Sequence, residues 1–290
     1  MSSETQPSEP ETPTQSPLFR AVESDRYGRQ AGICKYEELT GRSLIVFYGK
    51  IDHSVIAPFA DAVGEAQQEK PLDLMLTSPG GDAETAVRLA RMCHAERQDF
   101  RVIVPDTAAS AATLLALAAE SVVMSNSSAL GPIDPQVPMA TRQAYIPAKD
   151  IVEIVDDLEK RTTNNPVAFE LYAALLADVD AVIYQIAKAA IRRTRELVPE
   201  VLSLRQTPPS AEETDRIAEA LQSHAMHSAT IGYDQAKSLE IPAAYLSPQS
   251  PEWNALWRLH TFYVVLLGLR FVETLIEGRR VSFRFSPDAL

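Results

Sequence analysis

Cysteine is scarce in this chain, which holds only Cys34 and Cys93 among its 290 residues. Two thiols so far apart provide no disulfide framework, so we expect a protein of the reducing cytoplasm. Together with five histidines they lack the grouping of ligands that a zinc site needs, so no metal is expected. Basic residues are also fewer than acidic ones: the chain has 27 Lys and Arg and 39 Asp and Glu, which gives a formal net charge of -12. That charge argues against nucleic acid and anionic membrane surfaces as partners.

Long apolar runs are missing from both ends of the chain. The first residues, MSSETQPSEPETPTQSP, have neither the basic segment nor the apolar core of a signal peptide, and we predict disorder over residues 1–18. Near the C-terminus, Phe262–Leu269 is uninterruptedly apolar but only eight residues long, too short to span a bilayer. We predict instead a buried helix over about Pro251–Leu267, a strand or hairpin through Val281–Phe285, and no integral membrane span.

Between these ends, short apolar runs alternate with longer helical patterns. Strands are predicted at Leu44–Tyr48, Leu72–Leu76, Phe100–Val104 and Ser121–Ser125, and helices at about Ser54–Glu69, Ala83–Arg97 and Ala109–Ala119. This succession predicts an α/β fold with a mostly parallel sheet and outer helices, with functional turns at the carboxyl ends of strands. A helical region follows from Asp150 to about His224. Its apolar stripe consists of Leu171, Leu175, Val179, Val182, Ile183 and Ile186.

The turn after Phe100–Val104 presents Ser110. The strand ends at Pro105, and the segment after it is nearly all Ala and Leu, which are strong helix formers. Ser110 is therefore predicted at or just before a helix N-terminus, where unpaired backbone N–H groups favour an alkoxide or the oxyanion of a tetrahedral intermediate. The alternative interpretation is that Ser110 is only an N-cap.

The turn after Leu72–Leu76 contains the string Pro79-Gly80-Gly81. Two glycines between a strand and a helix let the backbone approach a ligand closely and direct N–H groups into a cleft. Asp82 is suited to cap the helix that follows. Taken alone, this string is equally typical of a tight turn with an N-cap.

Four strings carry a resemblance to a known family: SPGG at 78–81, ASA at 109–111 with Thr113, LAA at 117–119, and LGPIDPQ at 130–136. They resemble the Clp protease and crotonase superfamily, and the chain is most similar to the serine dehydrogenase proteinase family. That family is related to signal peptide peptidase A and to stomatin-linked membrane proteases. Weaker similarity extends over about residues 27–250. Ala112 departs from the pattern, because family members usually have Gly there.

The resemblance implies a fold and a site. Residues 19–250 would form a Clp protease/crotonase-like spiral of β-β-α units, and residues 251–290 a C-terminal helix and hairpin extension suited to oligomerisation. Ser110 would be the nucleophile, with the N–H groups of Gly81 and Ala111 as oxyanion donors. Relatives of this fold commonly form rings or trimers, so we expect a homo-oligomer.

The general base is left open by the sequence. In Clp protease a His follows the nucleophile on the next strand, but Gly131–Pro135 contains none. Membrane-associated relatives use a Ser-Lys dyad, in which burial or a cationic neighbour lowers a lysine pKa far below its ordinary value of about 10.4. Lys149 resembles the lysine placement of the stomatin-linked enzymes and is our first candidate. Lys160, in an acidic run, and His227 are the alternatives, and Lys149 could equally be a solvated surface lysine.

These observations predict a serine peptidase that cleaves accessible peptides or unfolded protein segments through an acyl-enzyme on Ser110. A crotonase-type enzyme is one alternative, because the same two N–H groups could hold the enolate of an acyl thioester. A catalytically inactive scaffold is the other. The chain has no Gly-rich dinucleotide fingerprint and no sign of a pyridoxal site, so no cofactor is expected.

Overall fold

A computed structural model describes residues 16, 23–96, 99–139, 144–177, 179–222, 230–270 and 273–285. Apart from Ser16, the segment predicted to be a disordered tail lies outside these residues. The helices are α1 (Ser24–Thr40), α2 (Ile56–Gly64), α3 (Ala83–Glu96), α4 (Ala111–Leu117), α5 (Ala148–Asn164), α6 (Phe169–Leu175), α7 (Ala181–Leu202), α8 (Ala211–Gln222), α9 (Tyr233–Ser238) and α10 (Pro251–Arg270). The strands are β1 (Ser43–Gly49), β2 (Leu72–Thr77), β3 (Phe100–Val104), β4 (Thr107–Ala108), β5 (Ser121–Met124), β6 (Ala129–Leu130), β7 (Gln136–Met139), β8 (Ala144–Pro147), β9 (Ala243–Tyr245), β10 (Thr274–Glu277) and β11 (Ser282–Phe285).

The main sheet of the described chain has seven strands in the order β11-β10-β1-β2-β3-β5-β9. The five strands from β1 to β9 in this order run parallel, and β10 and β11 join as an antiparallel hairpin beside β1. Right-handed crossovers through helices connect parallel strands in such sheets, so their carboxyl ends meet along one edge. The turns at 78–81 and 105–110 both follow this edge, as the sequence predicted.

The sheet separates two hydrophobic cores, and alternate residues of β1 face one core or the other. Ile45 and Phe47 face the core formed with α2, α3 and α4, whereas Leu44, Val46 and Tyr48 face the core formed with α1 and α10. Successive side chains of a strand point to opposite faces, so a fully apolar strand is covered on both sides. All seven residues of β1 are accordingly buried.

The predicted helix at Ser54–Glu69 is shorter in the structure. A 3-10 turn at His53–Val55 precedes α2, and α2 ends at Gly64, which lacks the side chain that would favour continuing the helix. The following residues to Lys70 form turns before β2 begins.

The predicted C-terminal helix and hairpin are present, and both pack on the main sheet. The inner face of α10 is buried in the second core through Trp253, Leu256, Leu259, Tyr263 and Leu266. Its outer face is not buried as predicted, because Phe262, Val264 and Val265 are about half exposed. Among the described residues, no helix combines the length and apolarity that crossing a membrane requires.

A buried ion pair ties the hairpin to α1. Glu277 is fully buried and accepts hydrogen bonds from Arg29 Nε at 2.8 Å, Arg29 Nη2 at 3.0 Å, Tyr263 at 2.7 Å and Ser282 at 2.7 Å. Burial, followed by the charge of Glu277, raises the pKa of Tyr263 well above its ordinary value. This network holds a charge inside the protein because every bond to it is charge-assisted.

The helical region after residue 148 forms an outer layer with a small core of its own. Val179 and Ile183 pack against this core with Ala187. The rest of the predicted apolar stripe does not: Leu171, Leu175, Val182 and Ile186 are between 48% and 65% exposed. The stripe was predicted as one apolar helical face, but its residues are divided between α6, which ends at Leu175, and α7, which begins at Ala181.

Candidate active site

The two turns that follow β2 and β3 lie side by side. Ser78 and Ala108 form a parallel bridge in which the Ser78 N–H donates to Thr107 O at 2.9 Å and the Ala109 N–H donates to Ser78 O at 3.0 Å. This bridge extends the pairing of the strands beyond their regular ends. It brings the glycines of the first turn against the serine of the second, as the sequence predicted from the shared sheet edge.

Gly80 touches the backbone of the serine turn. Its φ is +98°, and a Cβ added there would lie 2.5 Å from Ala109 O and 2.8 Å from Ser110 Cβ. Both distances are shorter than van der Waals contact, so any side chain would push the two turns apart. Glycine is required here for space and for backbone conformation together.

Gly81 carries the first candidate oxyanion donor. It pairs with Ile51 in a parallel bridge whose bonds run from Ile51 N to Gly80 O at 2.9 Å and from Asp82 N to Ile51 O at 2.8 Å. These bonds do not use the Gly81 N–H, and Gly81 is exposed. Asp82 caps α3 as predicted, accepting from the Thr85 N–H at 2.7 Å.

Ser110 has an unusual backbone conformation, with φ 53° and ψ -117°. A non-glycine residue with positive φ is strained by about 1–3 kcal/mol, and such strain is concentrated at functional sites. Ser110 stands at the N-cap position of α4, but its side chain makes no capping hydrogen bond. Ser110 is half-buried, and its side chain does not stabilise the helix in the way that a capping serine does.

Ala111 carries the second candidate oxyanion donor. It is the first residue of α4, so its N–H has no partner within the helix. The neighbouring amides are used: the Ala112 N–H donates to Ala109 O at 3.0 Å, and the Ser110 N–H donates to Pro132 O at 3.1 Å. Ala112 is fully buried in the core beneath the turn, so its methyl group packs against apolar side chains.

Thr113 and Gly131 fix the serine turn from below. The buried Thr113 hydroxyl lies 2.9 Å from Ala108 O and 2.7 Å from Gly131 O, and the Gly131 N–H donates to Ala108 O at 2.8 Å. A Cβ on Gly131 would lie 2.6 Å from Ala109 Cβ. Both residues belong to the strings that carry the family resemblance, but no role was predicted for either of them. Ile51, which orients Gly81, carried no signal in the sequence.

The three candidate bases are placed differently. Lys149 is the second residue of α5, and its Nζ donates to Gln222 O at 3.4 Å and lies 3.8 Å from Glu153 Oε1. No hydrogen bond joins it to Ser110 in the described structure. Lys160 is exposed and, eleven residues further along α5, lies about 16 Å from Lys149 along the helix axis. His227 lies outside the described residues.

Lys149 and Ser110 nevertheless adjoin the same short segment of chain. The Ser110 N–H donates to Pro132 O, and the N–H of Ala148, directly before Lys149, donates to Pro135 O at 2.8 Å. The antiparallel pairing of β7 with β8 returns the chain to this position after the LGPIDPQ string. The Ser110 amide thus binds one end of the segment 132–135, and the amide of the residue before Lys149 binds the other end.

The geometry defines a class of protein. A mostly parallel sheet, a strained serine before a helix and a glycine turn pressed against it fit a ClpP-like α/β fold, and the predicted fold class is confirmed. The chain belongs to the ClpP-like SDH-type serine proteinase family, whose pattern matches residues 15–251. The family resemblance stated from the sequence is confirmed as well.

Individual relatives are distant. Two uncharacterized proteins of Methanocaldococcus jannaschii are 30% identical over 178 residues and 28% identical over 152 residues. These matches cover 61% and 52% of this chain, and 55% and 45% of the relatives, so the chain spans about half the length of the curated relatives it matches.

Two solved structures are similar in fold. A mutant of the membrane-bound stomatin-specific protease 1510-N has 14% identity and a TM-score of 0.46, over 74% of this chain and 81% of that chain. ClpP1 from Listeria monocytogenes has 12% identity and a TM-score of 0.42, over 78% of this chain and 96% of that chain.

Proposed function

We propose that this chain is a serine peptidase that cleaves peptides or unfolded protein segments, with Ser110 as its nucleophile. The observation that carries the proposal is the strained Ser110 backbone with a hydroxyl that caps no helix, held against Gly80. A strain of this size persists only where the surrounding contacts enforce it. Thr113 and Gly131 supply those contacts, which serve no purpose for an ordinary N-cap.

The Gly81 and Ala111 N–H groups are proposed as the oxyanion hole. Ser110 Oγ attacks the peptide carbonyl carbon, and the carbonyl oxygen becomes an oxyanion that accepts hydrogen bonds from both amides. Fixed backbone donors are effective because they need no reorientation as the charge develops, and losing one such donor costs about 3–4 kcal/mol. Both amides are left unused by the hydrogen bonds of the strands and helix around them.

Lys149 is proposed as the general base. Neutral Lys149 takes the Ser110 hydroxyl proton as the C–O bond forms and gives it to the amine that leaves when the C–N bond breaks. Lys149 then takes a proton from water as the water oxygen attacks the acyl-enzyme, and it returns that proton to Ser110 Oγ as the ester C–O bond breaks. The support is positional: Lys149 and Ser110 flank the segment from Pro132 to Pro135, and a lysine side chain has four rotatable bonds with which to turn from Gln222.

A fluorophosphonate probe tests the nucleophile. We expect wild type to be labelled and Ser110→Ala to be unlabelled, because the phosphonate bonds only to an activated hydroxyl. Ser127→Ala is a matched control, since that hydroxyl is engaged with Pro105 O at 2.8 Å and should not matter. Labelling that persists in Ser110→Ala contradicts the assignment. No labelling of wild type supports the inactive scaffold instead.

A pair of lysine variants on one helix tests the base. Lys149→Ala should lower the labelling rate by about 100-fold or more, the usual contribution of a general base. Lys160→Ala removes the same charge from the exposed part of α5 and should label as wild type does. Equal rates in both variants would exclude Lys149 and direct attention to His227.

A further inference from the structure

A pocket of about 600 Å³ opens between α5, α7 and α8 and is bordered by residues 133–135, which follow Pro132. We call it the α8 pocket. Apolar side chains from different elements line it, namely Ile133, Val152, Ile191 and Ala218. Such a mixture of concave shape and apolar lining is typical of a ligand site.

The α8 pocket adjoins the serine turn through a single stretch of backbone. Pro132 O accepts the Ser110 N–H, and the next residue, Ile133, lines the pocket while its N–H donates to Leu221 O at 3.0 Å. Lys149 lines the pocket as well. The pocket and the serine turn therefore share the segment that begins at Pro132.

The charges around the α8 pocket are unequal. Four carboxylates line it, those of Asp134, Glu153, Asp215 and Glu219, against the two cations Lys149 and Arg195. Both cations are bound to Gln222, Lys149 through the backbone oxygen at 3.4 Å and Arg195 through Oε1 at 3.1 Å. The lining thus carries two net negative charges.

Asp215 and Glu219 are exposed, as is Glu153, which lies 3.8 Å from Lys149 Nζ. Asp215 and Glu219 lie four residues apart on α8, so both project over the same side of the helix at the pocket. Within the described residues neither forms an ion pair, although Arg216 between them pairs with Glu240 at 2.7 Å. Like charges at this spacing destabilise a helix, so the helix itself does not account for the pair.

We infer that the α8 pocket receives the substrate residue on the acyl side of the scissile bond and prefers a long side chain ending in a cation, such as lysine or arginine. The apolar lining packs against the methylene groups of such a side chain, and the carboxylates of Asp215 and Glu219 pair with its charged end. This inference rests on the proposed function and names the substrate class of that site.

Three peptidyl phosphonate probes test the inference. They share one scaffold and carry lysine, norleucine or glutamate at the acyl-side position, so that lysine and norleucine differ mainly in charge. The readout is the rate of covalent labelling of the intact protein by mass. Two exposed ion pairs should favour the lysine probe over norleucine about tenfold, equivalent to about 1.4 kcal/mol, and the glutamate probe should be slowest.

The variant Asp215→Asn/Glu219→Gln should bring the lysine-to-norleucine ratio close to one. Raising the salt from about 0.05 M to about 0.5 M should lower the ratio in wild type, because exposed ion pairs are screened. The remote pair Glu38→Gln/Asp61→Asn removes the same charge from exposed positions outside the pocket and should keep the wild-type ratio.

The outcomes separate this inference from the function on which it rests. A wild-type ratio of one or less, or an unchanged ratio in Asp215→Asn/Glu219→Gln, overturns the inference while labelling of Ser110 stands. If no probe labels wild type, or labelling persists in Ser110→Ala, the proposed function fails and the inference fails with it.

Discussion

Replacing Gly80 with alanine should damage both the stability of the protein and the reactivity of Ser110. The added methyl group would lie 2.5 Å from Ala109 O and 2.8 Å from Ser110 Cβ, and the φ of +98° is one that side chains disfavour. Ala109 O and Ser110 Cβ belong to the serine turn, which Thr113 and Gly131 hold in place from the other side. The clash therefore has no flexible side-chain end that could move away.

The magnitude follows from two contributions. Positive φ costs a non-glycine residue about 1–2 kcal/mol, and forcing an extra methyl into a packed site costs about 1–3 kcal/mol. Gly80→Ala should therefore lower the free energy of unfolding by about 2–5 kcal/mol. The displaced turn also moves Ser110 relative to the Gly81 N–H, and a shift of about 1 Å at a reacting group costs on the order of 100-fold in rate.

Denaturant unfolding followed by circular dichroism measures the first effect, and fluorophosphonate labelling of the folded fraction measures the second. Gly64→Ala is the matched control: nothing lies within 4 Å of its added methyl, and alanine is the better helix former at the end of α2. It should stabilise the protein by about 0.5 kcal/mol and leave labelling unchanged. A Gly80→Ala protein that unfolds and labels like wild type would refute the reasoning.

Three further predictions concern buried groups. Glu277→Ala should cost about 3–5 kcal/mol, since it leaves the Arg29 guanidinium buried without its partner; an unchanged urea midpoint would contradict this. Burial lowers the pKa of His260, so the folded protein binds fewer protons than the unfolded chain, and stability should fall as the pH drops below about 6.5. His260→Asn should weaken that dependence between about pH 7 and pH 5 in urea titrations, and an identical slope would count against it. Burial raises the pKa of the Cys93 thiol to about 12, so iodoacetamide should modify Cys34 in the native protein and Cys93 only after unfolding, as mass spectrometry would show.

Much of the sheet could be predicted from local pattern. β3 spans Phe100–Val104, as the β-branched run predicted, and β1 and β2 differ from prediction by one residue at an end or at both. Such runs are readable because a buried parallel strand needs apolar residues at every position, on both faces of the sheet. The meeting of the two turns was also predictable, since both follow carboxyl ends of neighbouring strands.

Other features depend on contacts between distant parts of the chain. Arg29 and Glu277 are 248 residues apart, and nothing in either segment indicates that they pair inside the protein. The apolar stripe from Leu171 to Ile186 is divided between two helices, and four of its six residues are about half exposed or more. The α8 pocket likewise forms only where three helices and the segment after Pro132 converge.

The sequence alone determined that Ser110 follows a buried strand and begins a helix, and that two glycines occupy the corresponding turn of the neighbouring unit, because these are local preferences of backbone and side chain. It also excluded a disulfide framework through its cysteine content. Only the tertiary structure decided that the Ser110 backbone is strained, that its side chain caps no helix, and that the amides of Ser110 and Ala148 bind the two ends of the same segment. These properties arise from close packing of backbone against backbone, at Gly80 and Gly131 above all, and local patterns do not encode such distances.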